Sequence, residues 1–507
     1  MLGERRRRAT LRPAAASCYR ARVRVWRPRS TGFRVLGAAM VSFGLVVGAR
    51  VAVAQAPAAD VDEGRERARQ GAGGPAWKLP ALRERLDNGL RVVMSVDHGA
   101  PTVAVVVTYG AGAADEPLGR GGVARLVEGL MAEGSPALSA GGRGRLVAAR
   151  GGRTSTLRSP DLTAHGVELP SGELGFALWL EAERMRAIEV DENALARERR
   201  TALAEVLAPG GFGGRGGRDG EEALASALDA LVFQGHWPYA HGRQGTAEAL
   251  GRVEVGWAKE QLALYGPERA VLSVVGDFEP AKAMDLVRRY FGAIAARGNA
   301  AGELPPRKEA LAAQEGPRRG GLHGRGVGTP GVVFGWATPS AQHADGLVLE
   351  VTAAVLGGGE GSRLHRLLVV ERGVALEVRA DVARRRGPGL FSLRVRLSGK
   401  AKPGDVEKLV EGEIASLAAR GPSEVELTRA RAWAAGSRLV GMQSSGARAM
   451  RLGEAEQLLG DAALLEGEPA RLQAVRGDEV QRVTREHLGA SRRSGLEVRS
   501  VAGEEGP

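Results

Sequence analysis

The stretch "GRGGVARLVEGLMAEGS", residues 119–135, decides how this chain is read. It is a glycine-rich approach that runs into a helix. Midway along the helix stands Glu128, with Arg125 one turn before it and Gly129 directly after it. A cation and a glycine beside a carboxylate, on a face that should be buried, demand an explanation.

On the N-terminal side, "LRERLDNGLRVVMSVDHGAPTVAVVVTYGAG" (82–112) reads as strand, Asn88-Gly89 turn, strand, a break at Pro101 and a third strand. On the C-terminal side a helix runs through "GRLVAARGG" (144–152). Strands "TSTLRS" (154–159) and "LTAHGVELP" (162–170) follow, then the long helix "GELGFALWLEAERMRA" (172–187). "DENALARERRTALAEVLA" (191–208) has helical spacing behind an Asp191 N-cap. "PGGFGGRGGRDG" (209–220) is a loop, and residues 267–294 close a unit as strand, Gly-Asp turn and helix.

The remainder repeats that order of elements, from the strand "GVVFGWATP" (331–339) and helix "ADGLVLEVTAAVLGG" (344–358) to a last strand "GLEVRSVAG" (495–503). The predicted fold is therefore α+β. Two tandem homologous domains, 79–296 and 321–507, each form an antiparallel sheet packed with helices, joined by a Gly- and Pro-rich linker at 297–320.

A chain of 507 residues, 43% of them hydrophobic, can fill more than one core. The net charge of +12 is unevenly placed: residues 1–56 hold twelve arginines and one acid, Glu4. The rest of the chain is close to neutral, without the basic surface that nucleic-acid binding requires. The same segment has an apolar run from Val35 to Val47 and a small-x-small site at Ala54, Gln55 and Ala56, which reads as a signal peptide with a basic lead. Export to the periplasm follows, with no stable membrane anchor after cleavage; left uncleaved, the run would tether the chain. Residues 57–78 are a linker. The sole cysteine, Cys18, falls in the removable segment, so the mature chain has no disulfide and no thiolate ligand.

Eight phrases in order carry a resemblance: "LDNGLRVV" (86–93), the 109–135 stretch, "GG" before "SPDLT" (151–163), "LWLEAERM" (178–185), "ERRTALAE" (198–205), "WPYAHGRQGT" (237–246), "PERAVLSVVGDF" (267–278) and "LGGGEGSRL" with "ERGVAL" (356–376). Together they resemble the pitrilysin/insulinase family of zinc metallopeptidases, in its short-chain bacterial and mitochondrial-processing branch, over residues 80–505. That family carries H-x-x-E-H on this helix: two histidines bind zinc, the glutamate activates the bound water, and a later glutamate completes the site. Here the histidine positions are Arg125 and Gly129. Glu128 keeps the position of the base, Glu205 falls 76 residues after Gly129 where the third ligand belongs, and Glu198 matches its companion. Arginine has only N–H donors and glycine no side chain, so the resemblance implies that the zinc ligands are lost, with no metal and no cofactor.

Two arrangements of Arg125 follow. Its guanidinium replaces the metal's charge, pairing with Glu128 at i+3 and extending to Glu205, or Arg125 and Glu128 form a solvated pair on the helix face. The family's Arg and Tyr that steady the substrate carbonyl correspond to Val369 and Leu376, which cannot donate. Its peptide-pairing Asn-Ala on an edge strand corresponds to Ser155 and Thr156. No two of the eight histidines stand at i and i+3 or i+4, so no second zinc site is legible.

The resemblance implies a catalytically inactive, exported peptidase homologue. It would act as the non-catalytic subunit of a heterodimer with an H-x-x-E-H-bearing partner, binding peptides. The alternatives are a stand-alone peptide-binding or scaffold protein, alone or as a homodimer, and an active zinc endopeptidase with rearranged ligands.

Overall fold

Asn88 and Gly89 make the first turn because Gly89 takes φ +89°, which a side chain would disfavour. The Asn88 amide then donates to Phe291 O (2.8 Å) and Ile294 O (2.9 Å), tying the turn to the end of a distant helix. A computed structural model describes residues 78–133, 138, 141–207, 218–298, 311–324, 330–399 and 401–500. The chain divides after Pro75, and every described residue belongs to the unit Ala76–Pro507. The signal peptide read at 1–56, Cys18, nearly all of the 57–78 linker, most of the 209–220 loop and half of the 297–320 linker lie outside the described residues.

The first sheet contains β1 (Leu82–Arg85), β2 (Arg91–Val96), β3 (Thr102–Tyr109), β4 (Arg153–Arg158), β5 (Thr163–Pro170) and β6 (Ala270–Gly276), in the order β1-β2-β6-β3-β5-β4. The second contains β7 (Arg318–Gly324), β8 (Gly331–Thr338), β9 (Ala375–Ala383), β10 (Gly389–Leu397) and β11 (Ser494–Ser500), in the order β7-β11-β8-β10-β9. Without β1, the two orders coincide strand for strand. The sheets are mixed rather than wholly antiparallel: β2 runs parallel to β6 and β7 parallel to β11, in equivalent places. A last strand inserted beside β2 in the first half, and beside β7 in the second, produces this in both. The duplication read from element order is thus a duplication of topology.

The helices used below are α1 (Val123–Glu133), α2 (Gly142–Ala149), α3 (Leu174–Arg186), α4 (Glu192–Leu207), α5 (Arg218–Val232), α6 (Val255–Leu262), α7 (Pro280–Phe291), α8 (Asp345–Gly357), α9 (Pro403–Arg420), α10 (Glu424–Val440), α11 (Ser445–Leu458), α12 (Leu464–Ala474) and α13 (Gly477–His487). One face of the first sheet (Met94, Val103, Val105, Val107) packs on Leu126, Val127, Leu178 and Val287 of α1, α3 and α7. The opposite face (Val93, Ala104, Val106, Val271, Val275) packs on Ala449 and Leu452 of α11. Strand β3, "TVAVVVTY", is apolar on both sides because both are covered.

α11 comes from the second half of the sequence, and the exchange is reciprocal. Leu224, Leu228 and Val232 of α5 pack against Val333, Leu390, Leu496 and Val498 of the second sheet. Gly453 permits the approach of α11, since a Cβ there would meet Thr108 Oγ1 at 2.2 Å. Each exchanged Leu or Val buries a side chain worth about 1.5–3 kcal/mol. Neither half covers its own sheet without the other.

Candidate functional site

The glycine-rich approach to α1 is explained by its neighbours. Gly122 has φ +88°, and a Cβ on it would meet Leu250 Cδ2 at 2.9 Å. The first turn of α1 is capped by Glu116: Gly122 N donates to its Oε2 (3.0 Å) and Ala124 N to its Oε1 (2.7 Å). His241 Nε2 lies 2.7 Å from the same Oε2, and its Nδ1 faces Trp237 O. With an acceptor at each ring nitrogen the pair holds a shared proton. Burial pushes Glu116 up, against His241; burial pulls His241 down, but Glu116 outweighs it and raises the imidazole. The stack of His241 on Trp237, 4.2 Å between centroids, completes the clamp.

Arg125 does not pair with Glu128, and it is not solvated. It is buried, with Nη1 donating to Glu198 Oε1 at 2.7 Å and Nη2 to Glu205 Oε2. Glu198 and Glu205 stand two turns apart on α4, hence on one face, and the guanidinium reaches both from α1. The i+3 pairing fails because Arg125 projects toward α4 while Glu128 projects toward the sheet. Burial works against the Arg125 charge, but Glu205 and Glu198 outweigh it and its pKa is raised.

Gly129 is a packing requirement of the same arrangement. A Cβ at position 129 would lie 1.9 Å from Glu198 Oε1 and 2.1 Å from its Cδ, so the Glu198 carboxyl occupies that side chain's space.

Glu128 belongs to a second set. Thr163 Oγ1 lies 2.7 Å from its Oε1, and Arg158 Nε lies 3.2 Å from its Oε2. Arg158 and Thr163 face each other across β4 and β5, which is why both reach one carboxyl. Thr163 Oγ1 also lies 2.9 Å from Ala111 O. A hydroxyl has one proton, so both short contacts are satisfied together when Glu128 is protonated and donates to Thr163. Burial raises the Glu128 pKa, opposed by Arg158, Thr163 and Arg125, in agreement with that reading.

Ser155 and Thr156 sit on β4, the edge strand of the first sheet, and are exposed. Thr156 faces His165, 3.4 Å from Oγ1 to Nδ1; burial pulls the His165 pKa well down. Val369 is half-buried in a π-helical turn, Arg366–Glu371, and Leu376 is 52% exposed at the bulged start of β9. Glu116, Arg158, Thr163 and His241 were not singled out as site residues from the sequence. Only the facing positions of Arg158 and Thr163 in the β4–β5 hairpin could have flagged two of them.

A zinc ion does not fit this donor set. Arg125 has no lone pair to give, Gly129 has no side chain, and Glu198 and Glu205 are engaged by the guanidinium. Among the described residues one other group has metal-like spacing, Asp345, Glu486 and His487. There Arg482 already bridges Asp345 (2.5 Å) and Glu486 (2.7 Å).

Comparison with known proteins agrees with this architecture. The family model described as Insulinase (Peptidase family M16) matches residues 91–208, and that described as Peptidase M16 inactive domain matches residues 262–432. An uncharacterized zinc protease of Mycobacterium tuberculosis is 27% identical over 425 residues, covering 84% of this chain and 94% of the relative. The crystal structure of a protease from Helicobacter pylori superposes with a TM-score of 0.73 at 20% identity, over 83% of this chain and all of that one. The periplasmic protease PqqL of Escherichia coli gives 0.65 at 16% identity, over 84% of this chain but 48% of its own.

Proposed function

The chain belongs to the insulinase family of peptidases, family M16, and from that premise we propose that it keeps the family scaffold without metal-dependent hydrolysis. In this reading it is an exported, non-catalytic subunit that holds extended peptides for a partner bearing an intact H-x-x-E-H motif. The observation that carries the proposal is the position of the Arg125 guanidinium between Glu198 and Glu205. A fixed monovalent cation there supplies charge balance for the carboxylates but no open coordination position and no bound water to activate.

Three further features support it. Strand β4 offers an exposed edge at Ser155 and Thr156, the form in which main-chain groups take up another strand. The chain spans about half of PqqL, which fits one half of a two-part chamber. The leader at 1–56 supports export to the periplasm, and no helix among the described residues is long and apolar enough to cross a membrane. Val369 and Leu376 favour a second reading, a stand-alone peptide-binding protein or homodimer, because a helper subunit would keep donors at those positions.

The test is metal analysis and peptide hydrolysis on the purified full chain, alone and with the product of any adjacent reading frame that encodes H-x-x-E-H. The chain alone should carry no stoichiometric zinc and cleave nothing, and cleavage should need both products. About one zinc per chain with chelator-sensitive hydrolysis would overturn the proposal.

A further inference from the structure

We infer that Arg158 makes this site a receptor for the α-carboxylate of an extended peptide laid along β4. The inference rests on the reading that β4 takes up a peptide, and adds which peptides and by which end.

β4 ends at Arg158, and the chain then turns away through Ser159 and Pro160, with Ser159 N donating to Leu162 O (2.8 Å). A strand added to this edge therefore loses its main-chain partners at Arg158. What stands there instead is a guanidinium. Its Nε faces Glu128 Oε2 at 3.2 Å, while its two Nη nitrogens make no hydrogen bond among the described residues. The side chain is 32% exposed, open enough to be reached and sheltered enough to be oriented.

A second guanidinium braces the spot: Arg243 Nη1 donates to Arg158 O at 2.6 Å. The free edge of Arg158 presents two parallel N–H donors, the geometry that takes a carboxylate in a bidentate pair. A carboxylate at this end requires the peptide to run parallel to β4. The opposite direction would bring an ammonium terminus against the Arg158 guanidinium.

The experiment is fluorescence anisotropy on the full chain with three N-terminally labelled decapeptides rich in Val and Thr: the free acid, its C-terminal amide, and the amide with aspartate as last residue. The free acid should bind on the order of tenfold or more tighter than the amide. In Arg158→Gln that ratio should fall toward one. Arg158→Gln with Glu128→Gln removes the carboxyl stranded by the first change and should give the same ratio, which separates recognition from misfolding. Equal affinity of acid and amide for the native chain would overturn the inference and leave β4 as a peptide edge. Tight binding of the aspartyl amide would overturn it in favour of side-chain carboxylates. If none of the three binds, the peptide-holding reading itself falls.

Discussion

Arg125 Nη1 lies 2.7 Å from Glu198 Oε1, and that same oxygen stands 1.9 Å from where a Cβ on Gly129 would be. The two departures from a zinc motif are therefore one structural event. The cation draws Glu198 inward, and the glycine vacates the space into which the carboxyl moves.

Removal of the cation should be costly. In Arg125→Met the buried Glu198 loses the guanidinium that pairs with it through Nη1, while Glu205, 55% exposed, recovers part of its loss from water. Breaking a buried pair from one side costs about 3–5 kcal/mol, so a loss of roughly 2–4 kcal/mol is expected here. Urea unfolding measures it, and unchanged stability would show that Arg125 does not compensate the carboxylates.

Gly129→Ala should destabilise by about 1–3 kcal/mol through overpacking against Glu198. Because a single carboxyl makes the clash, Glu198→Ala should relieve most of it. A double-mutant cycle reads the coupling, and strict additivity would contradict the geometry.

Glu128 should make stability fall with rising pH. Its folded-state pKa is raised, so its favourable contribution is complete below the ordinary carboxyl range and is lost as pH rises through the folded value. Glu128→Gln imitates the protonated form, donating to Thr163, and should be tolerated and remove that share of the pH dependence. Chemical denaturation of both proteins between mildly acidic and neutral pH provides the comparison. Identical slopes would mean that the buried carboxyl is already ionised.

Four charges form a closed ring between elements of the second half. Arg384 meets Glu350 (2.7 Å) and Glu468 (2.8 Å), and Arg438 meets Glu350 (2.6 Å) and Glu468 (3.0 Å). Glu468 is 1% exposed, so Glu468→Gln should leave two guanidinium groups short of charge and cost about 3–5 kcal/mol. A melting temperature within a degree of the native value would sink that expectation.

Most elements were legible because their signals are local. The Asn88-Gly89 turn, the apolar run of β3 and the helical spacing of residues 191–208 are each set within a few residues, and each element formed where it was read. The repeated element order likewise matched two sheets of equivalent connectivity, though not the parallel pairs, which depend on where a late strand inserts.

The site was legible in composition and not in pairing. The sequence by itself determined that Arg125 and Gly129 cannot ligate a metal, because a guanidinium has no lone pair and a glycine no side chain. Tertiary structure alone decided that Arg125 turns to Glu198 and Glu205 across 73 and 80 positions, that Glu128 answers to Arg158 and Thr163, and that α5 and α11 cross between the halves. Residue type is fixed one position at a time. The direction a buried charge faces is set by which surfaces the packed core leaves beside it, and only the folded chain contains those surfaces.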